Sequence, residues 1–207
     1  MNNPTIKSLK RYTTLPILID YLEREKLVLL DPSKWEDKND TLIIEEYKKK
    51  ANIGKLFALC FTHKGETIHH WKAFANSSSG CCIEFDGPQL IKIFNNIPEL
   101  KHGKVNYKRI NDLTLSKIKL ECIPFIKRIP YKTENEYRII CLAGSGNNFE
   151  IDVPISVVKR ITFSQLLPEP IYKTIKSMLC DKYPITKRNI IRSTIYENQK
   201  WVRHFQE

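Results

Sequence analysis

The chain has 207 residues, 42% of them apolar, and 34 lysines and arginines against 23 aspartates and glutamates, a formal net charge of +11. That length and apolar content suit a single domain, residues 1–207, with a real core. No apolar run approaches a bilayer's thickness, which excludes a membrane-spanning helix, and the basic excess points to a polyanion without choosing among DNA, RNA, nucleotide and anionic lipid, or to solubility alone.

In chain order, residues 8–12 read as a first strand, and Thr14 as the cap of a helix with Leu15, Leu18, Ile19 and Leu22 on one face. Residues 27–30 read as a second strand, stopped by Asp31-Pro32. Asp40 or Thr41 is expected to cap a helix through Lys50, supported by Glu45–Lys49 and Glu46–Lys50 pairs. Residues 57–62 form a buried strand, 66–76 a helix with Ile68, Trp71 and Ala75 inward, and 76–80 a turn. A strand over 81–85 is followed by a helix opened by Gly87-Pro88. Residues 105–107 read as a short strand and 112–125 as a helix limited by Pro124. Residues 136–142 and 149–153 are expected to pair as a hairpin around Gly144-Ser145-Gly146. A strand over 160–163, a helix over 168–181 with Ile171, Ile175, Met178 and Leu179 inward, and a last strand over 189–196 complete the chain. The expected class is α+β, one domain with a mixed, mostly antiparallel sheet and flanking helices.

The six cysteines, Cys60, Cys81, Cys82, Cys122, Cys141 and Cys180, show no zinc-knuckle spacing and read as reduced, mostly buried residues of a cytoplasmic protein. The N-terminal residues carry no apolar stretch of a signal peptide. P-loop, dinucleotide-binding glycine and metalloprotease motifs do not occur. His63, His69 and His70 lack a third ligand at metal spacing, so no metal is assigned to them; His70 reads as a helix-start histidine or a pocket group. Residues 182–204 carry Lys182, Lys187, Arg188, Arg192, Lys200, Arg203 and His204 against Glu197 as the one acid. Lys187, Arg188, Arg192, Lys200 and Arg203 are the candidate nucleic-acid contacts, in a segment (182–207) that belongs to the same domain.

The densest chemistry is Glu134-Asn135-Glu136-Tyr137-Arg138. If all of it is extended, alternation puts Glu134, Glu136 and Arg138 on one face, with the carboxylates about 7 Å apart. Such a trio is either a solvated ion pair or a catalytic pair of carboxylates beside a cation. Lys10-Arg11-Tyr12 likewise suits a buried salt bridge, or a pyrophosphate grip with the tyrosine stacking on a ring.

Several segments together resemble a bacterial family described only as a domain of unknown function. They are Arg11-Tyr12, Pro32-Ser33-Lys34-Trp35-Glu36-Asp37, Cys60-Phe61-Thr62, Trp71-Lys72-Ala73-Phe74-Ala75 leading to Gly80-Cys81-Cys82-Ile83-Glu84-Phe85-Asp86, Val105-Asn106-Tyr107 and Glu134-Asn135-Glu136-Tyr137-Arg138. The pattern covers about residues 9–180 and is remotely similar to the ADP-ribosyltransferase arrangement, including the DarT-type and CmdT-type toxins that modify DNA and mRNA. The resemblance implies an ADP-ribosyltransferase-like fold and an NAD-dependent toxin or anti-phage effector acting on RNA or DNA. It also implies a possible cognate antitoxin. In it Arg11, Tyr12, His70, Trp71 and Arg138 bind NAD, and Glu136 is catalytic with Glu134 assisting. Glu136→Gln is then expected to abolish turnover and spare the fold. Three other readings stay open: a non-catalytic nucleic-acid-binding or antitoxin-interacting module, a nuclease with a divalent metal on Asp37, Asp40 and Glu136, and an NAD glycohydrolase.

Overall fold

A computed structural model describes residues 6–75, 77–113, 118–142 and 146–206. The protein is α+β with mostly antiparallel strand pairing. The chain divides into two compact units, each assembled from interleaved segments: residues 1–9, 26–63 and 87–153 in the first, and residues 10–25, 64–86 and 154–207 in the second.

In the first unit, strands β2 (Lys26–Leu30), β3 (Phe57–Thr62), β5 (Leu100–Lys104), β8 (Glu136–Cys141) and β9 (Asn148–Asp152) pair antiparallel in the order β9-β2-β3-β8-β5. All six residues of β8 are buried, as befits a strand with both edges occupied. The expected hairpin between 136–142 and 149–153 does not form: β8 pairs with β3 and β5, and β9 with β2. The apolar run of β8 suits a central strand as well as a hairpin arm, and only tertiary pairing distinguishes them. Helix α2 (Lys38–Ala51) starts earlier than expected because Asp37, not Asp40, is its cap, accepting from Asn39 N at 3.1 Å and Asp40 N at 3.4 Å. Asp40 is thereby released for an interior role. Helix α4 (Gly87–Asn95) packs Leu90 and Phe94 inward. The helix expected over 112–125 is largely replaced by two short 3₁₀ turns, Ile110–Asp112 and Leu120–Phe125, while residues 114–117 lie outside the described ones. Pro124 removes a backbone donor from the stretch. Parallel strands β6 (Asn106–Lys108) and β7 (Ile126–Arg128) and a 3₁₀ turn over Ile129–Glu134 lead into β8.

In the second unit, β10 (Val158–Phe163) lies between β4 (Gly80–Asp86), antiparallel, and β11 (Ile190–Arg192), parallel. Residues 10–14 of β1 (Ser8–Thr14) line the other edge of β4. Helix α1 (Leu15–Arg24) buries Leu18, Tyr21 and Leu22. Thr14 stands at its cap position without a side-chain bond. Helix α3 (Ile68–Phe74) is shorter than the expected 66–76, with Thr67 as its cap. The expected turn at 76–80 is described from Ser77 onward. Helix α5 (Glu169–Lys182) turns Tyr172 and Lys176 inward, both bonding the Ile190 carbonyl, with Leu179 buried next along that stripe. Ile171 and Met178, expected inside, are exposed for that reason. The last strand is only three residues long, and a short helix α6 (Gln199–Arg203) follows it. No helix among the described residues is long and apolar enough to cross a membrane.

Candidate functional site

The Glu134–Arg138 segment builds a closed charge cluster inside the first unit. Glu134 ends the 3₁₀ turn and Asn135 follows at a φ of 44°, so Glu134 is not in the strand with Glu136 and Arg138. Arg138 has 0% and Glu136 4% of their surface exposed. The guanidinium donates from Nε to Glu136 Oε1 at 2.6 Å and from Nη2 to Glu136 Oε2 at 3.0 Å. It donates from Nη1 and Nη2 to Asp40 Oδ1 and Oδ2 at 2.9 and 2.6 Å, and from Nη1 to the Pro124 carbonyl at 2.7 Å. All five guanidinium donors are thereby used, and the Trp35 ring covers the group at 4.9 Å. Lys127 Nζ donates to Glu134 Oε2 at 2.7 Å and Glu136 Oε2 at 3.4 Å and lies 3.5 Å from Asp40 Oδ2.

Burial opposes the charge of Glu136, but Arg138 and Lys127 outweigh it and hold the carboxyl at about 2. Burial and the Glu136 carboxylate together push the Cys60 thiol well above its ordinary value. Glu136, expected to act on substrate, and Arg138, expected to touch NAD, therefore sit in an interior network whose hydrogen bonds go to the protein itself. Asp40 and Glu136, two of the three carboxylates considered for a divalent metal, spend their oxygens on Arg138. Among the described residues no group of three or more His, Cys, Asp or Glu is disposed to hold a metal ion.

A second cluster lies in the second unit. Tyr12 stacks on the His70 ring at 5.1 Å and 11°, and Trp71 meets Tyr12 edge-on at 5.2 Å. Helix α3 sets this arrangement: Thr67 Oγ1 accepts from His70 N at 3.2 Å and hydrogen-bonds His70 Nδ1 at 2.7 Å. His70 and Trp71 are buried, Tyr12 is half-buried, and Phe74 is exposed with its ring 6.4 Å from His70. The Trp71 indole donates to Glu66 Oε1 at 2.5 Å, and the Ser193 hydroxyl donates to the same oxygen. Ser193 is fixed in turn by Ile195 N at 3.2 Å. Glu66 itself is exposed. It is thus a solvent-facing carboxylate in a defined orientation beside an aromatic stack. Burial, with the neighbouring Cys82 and Glu66, raises the Tyr12 phenol so that it stays protonated.

Strand alternation separates two residues that were expected to grip one dinucleotide. Tyr12 faces Cys82, whereas Arg11 points to the opposite side of β1, where its charge reaches Cys81. The cation on the Tyr12 side is Lys10, whose Nζ lies 3.8 Å from Glu84 Oε1 and donates to the Lys64 carbonyl at 3.2 Å. The structure brings together Tyr12, His70 and Trp71, three of the five residues that the resemblance assigned to NAD, without Arg11 or Arg138; sequence reasoning missed Glu66, Ser193 and the facing of Lys10. Period-two alternation along residues 10–12 was the available signal for Lys10. Nothing in the sequence announces Ser193, which lies 127 positions from Glu66.

Of the basic residues near the C-terminus, Lys187, Arg188, Lys200 and Arg203 are exposed. Arg192 is half-buried and directs Nη2 to the Gln165 carbonyl at 2.6 Å, which ties it to the fold. The chain matches no family model, and no curated protein matches it.

Proposed function

We propose that the protein is an NAD-dependent ADP-ribosyltransferase acting on nucleic acid, with its reacting carboxylate at Glu66 and an ADP-ribosyltransferase-like fold as the frame. The observation that carries this reading is the fixed, exposed Glu66 carboxylate beside the Tyr12–His70 stack. Tyr12 and the exposed Phe74 offer aromatic faces to the nicotinamide, and Lys10 offers charge to the pyrophosphate. His70 and Trp71, being buried, hold Tyr12 and Glu66 in place rather than touching the dinucleotide.

The chemistry suits such a site. Breaking the bond between ribose C1′ and the nicotinamide nitrogen sends the electron pair to nicotinamide, which leaves neutral, and positive charge develops on the ribose. A carboxylate that is already oriented stabilises that charge and accepts a hydrogen bond from the 2′-hydroxyl. An acceptor oxygen or nitrogen then bonds to C1′ and loses its proton to solvent. Two donors on Glu66 Oε1 fix the carboxylate before the substrate arrives, so little reorganisation remains to oppose the reaction. The net charge of +11 favours nucleic acid as the acceptor over an acceptor of no charge.

The test is incubation with NAD labelled in its adenylate phosphate, together with RNA, DNA or protein, in parallel with Glu66→Gln. Label transferred to nucleic acid and lost in the variant supports the proposal. Free labelled ADP-ribose without a modified acceptor makes the protein an NAD glycohydrolase. No consumption of NAD with any acceptor overturns the reading.

A further inference from the structure

The segment around α6 is not used by the site at Glu66. Trp201 has 67% of its surface exposed and Phe205 74%, far more than packing in the fold would leave. They stand four residues apart, Trp201 in α6 and Phe205 in the turn after it, with their rings edge to face at 5.4 Å. Lys200 and Arg203 interleave with them, and Lys187 and Arg188 are exposed in the turn before β11. No ion pair among the described residues engages any of these four cations. Asn198 caps α6, accepting from Trp201 N at 3.1 Å, and Phe205 N donates to the Val202 carbonyl at 3.0 Å in the turn that follows the helix, so both rings sit on hydrogen-bonded backbone.

We infer that this turn is a binding platform for single-stranded nucleic acid, with bases stacking on Trp201 and Phe205 and phosphates meeting Lys200 and Arg203. This rests on the reading above, and it narrows the acceptor to unpaired strands. Exposed rings interleaved with cations match a strand whose bases and phosphates alternate along its length. A duplex hides its base faces, so the rings would gain nothing from it. A second copy of the chain would bring cations against cations.

Fluorescently labelled RNA and DNA oligonucleotides, single-stranded and duplex, titrated against the full chain over a range of salt test the platform. Three proteins are compared: wild type, Trp201→Ala/Phe205→Ala and Lys200→Gln/Arg203→Gln. The wild type should bind the single strand at least about tenfold more tightly than the duplex. The aromatic variant should lose at least about tenfold on the single strand at an unchanged salt slope, and the charge variant should lower that slope by about 1.4. Equal binding of both forms overturns the inference, as does wild-type affinity in the aromatic variant. Trp201-dependent binding to anionic phospholipid vesicles that exceeds binding to oligonucleotides also overturns it. NAD consumption separates the two proposals. Trp201-dependent strand binding without NAD turnover leaves the platform standing and the transferase refuted. Persistent labelling of nucleic acid by an aromatic variant of unchanged affinity does the reverse.

Discussion

Arg138 meets Glu136 at two points, Nε to Oε1 at 2.6 Å and Nη2 to Oε2 at 3.0 Å, while its remaining donors hold Asp40 and the Pro124 carbonyl. One guanidinium thus ties β8 to α2 and to the turn before β7. Removing it would leave two buried carboxylates with only the more distant Lys127 ammonium as a partner. Arg138→Ala is expected to cost about 3–5 kcal/mol, measured as a shift in the urea midpoint. Arg138→Lys should recover only part of this, because an ammonium cannot reproduce the fork. Wild-type stability in Arg138→Ala would refute the network's role.

The same pair makes stability depend on acid. Glu136 is held at about 2, against an ordinary 4.5, because Arg138 and Lys127 overcome the cost of its burial. A carboxyl lowered on folding adds stability that is complete above its unfolded value and disappears as pH falls through the folded one. The urea midpoint should therefore hold steady down to about pH 5 and fall between 4.5 and about 2. In Glu136→Gln that fall should be shallower; an identical pH profile in the variant would show that Glu136 does not contribute to it.

Two donors on one oxygen predict a graded effect at the site. Ser193→Ala removes the hydroxyl and Trp71→Phe removes the indole N–H, each leaving Glu66 with one donor. Each variant is expected to lose about tenfold in kcat for NAD consumption, on the scale of one hydrogen bond to a charged group, with little change in KM. Loss in KM alone would make these bonds part of ground-state binding.

A steric prediction concerns the start of β4. A Cβ on Gly80 would lie 2.1 Å from the Ala75 carbonyl oxygen. Backbone must move to relieve that contact, so Gly80→Ala should cost about 1–3 kcal/mol. The turn links α3 to β4, so the change should also loosen the seat of Trp71, visible as a red shift of tryptophan emission.

Local patterns were legible in the sequence where a segment's own side chains decide its structure. β3 has the expected bounds, α1 starts directly after Thr14 as expected, and β2, β4 and β10 lie within two residues of expectation at each end. The Tyr12, His70 and Trp71 grouping came with the resemblance and not from a local pattern. What escaped depends on distant partners. Asp40 looked like a helix cap because Asp37 and Asp40 are both good caps, and only Arg138, 98 positions away, assigns it inward. Glu134 and Glu136 looked like strand neighbours because the αL turn at Asn135 leaves no pattern in the flanking residues. The inward stripe of α5 lies one residue out of phase with its apolar pattern, since Tyr172 and Lys176 are polar-tipped residues whose tips find the Ile190 carbonyl.

The most direct test sets Glu66→Gln against Glu136→Gln, with NAD consumption expressed per folded molecule and urea stability measured on the same samples. The account predicts that Glu66→Gln keeps its stability and loses at least about a hundredfold in turnover. It predicts that Glu136→Gln loses stability and keeps its turnover per folded molecule. Full turnover in a folded Glu66→Gln, or abolished turnover in a stable Glu136→Gln, would contradict it.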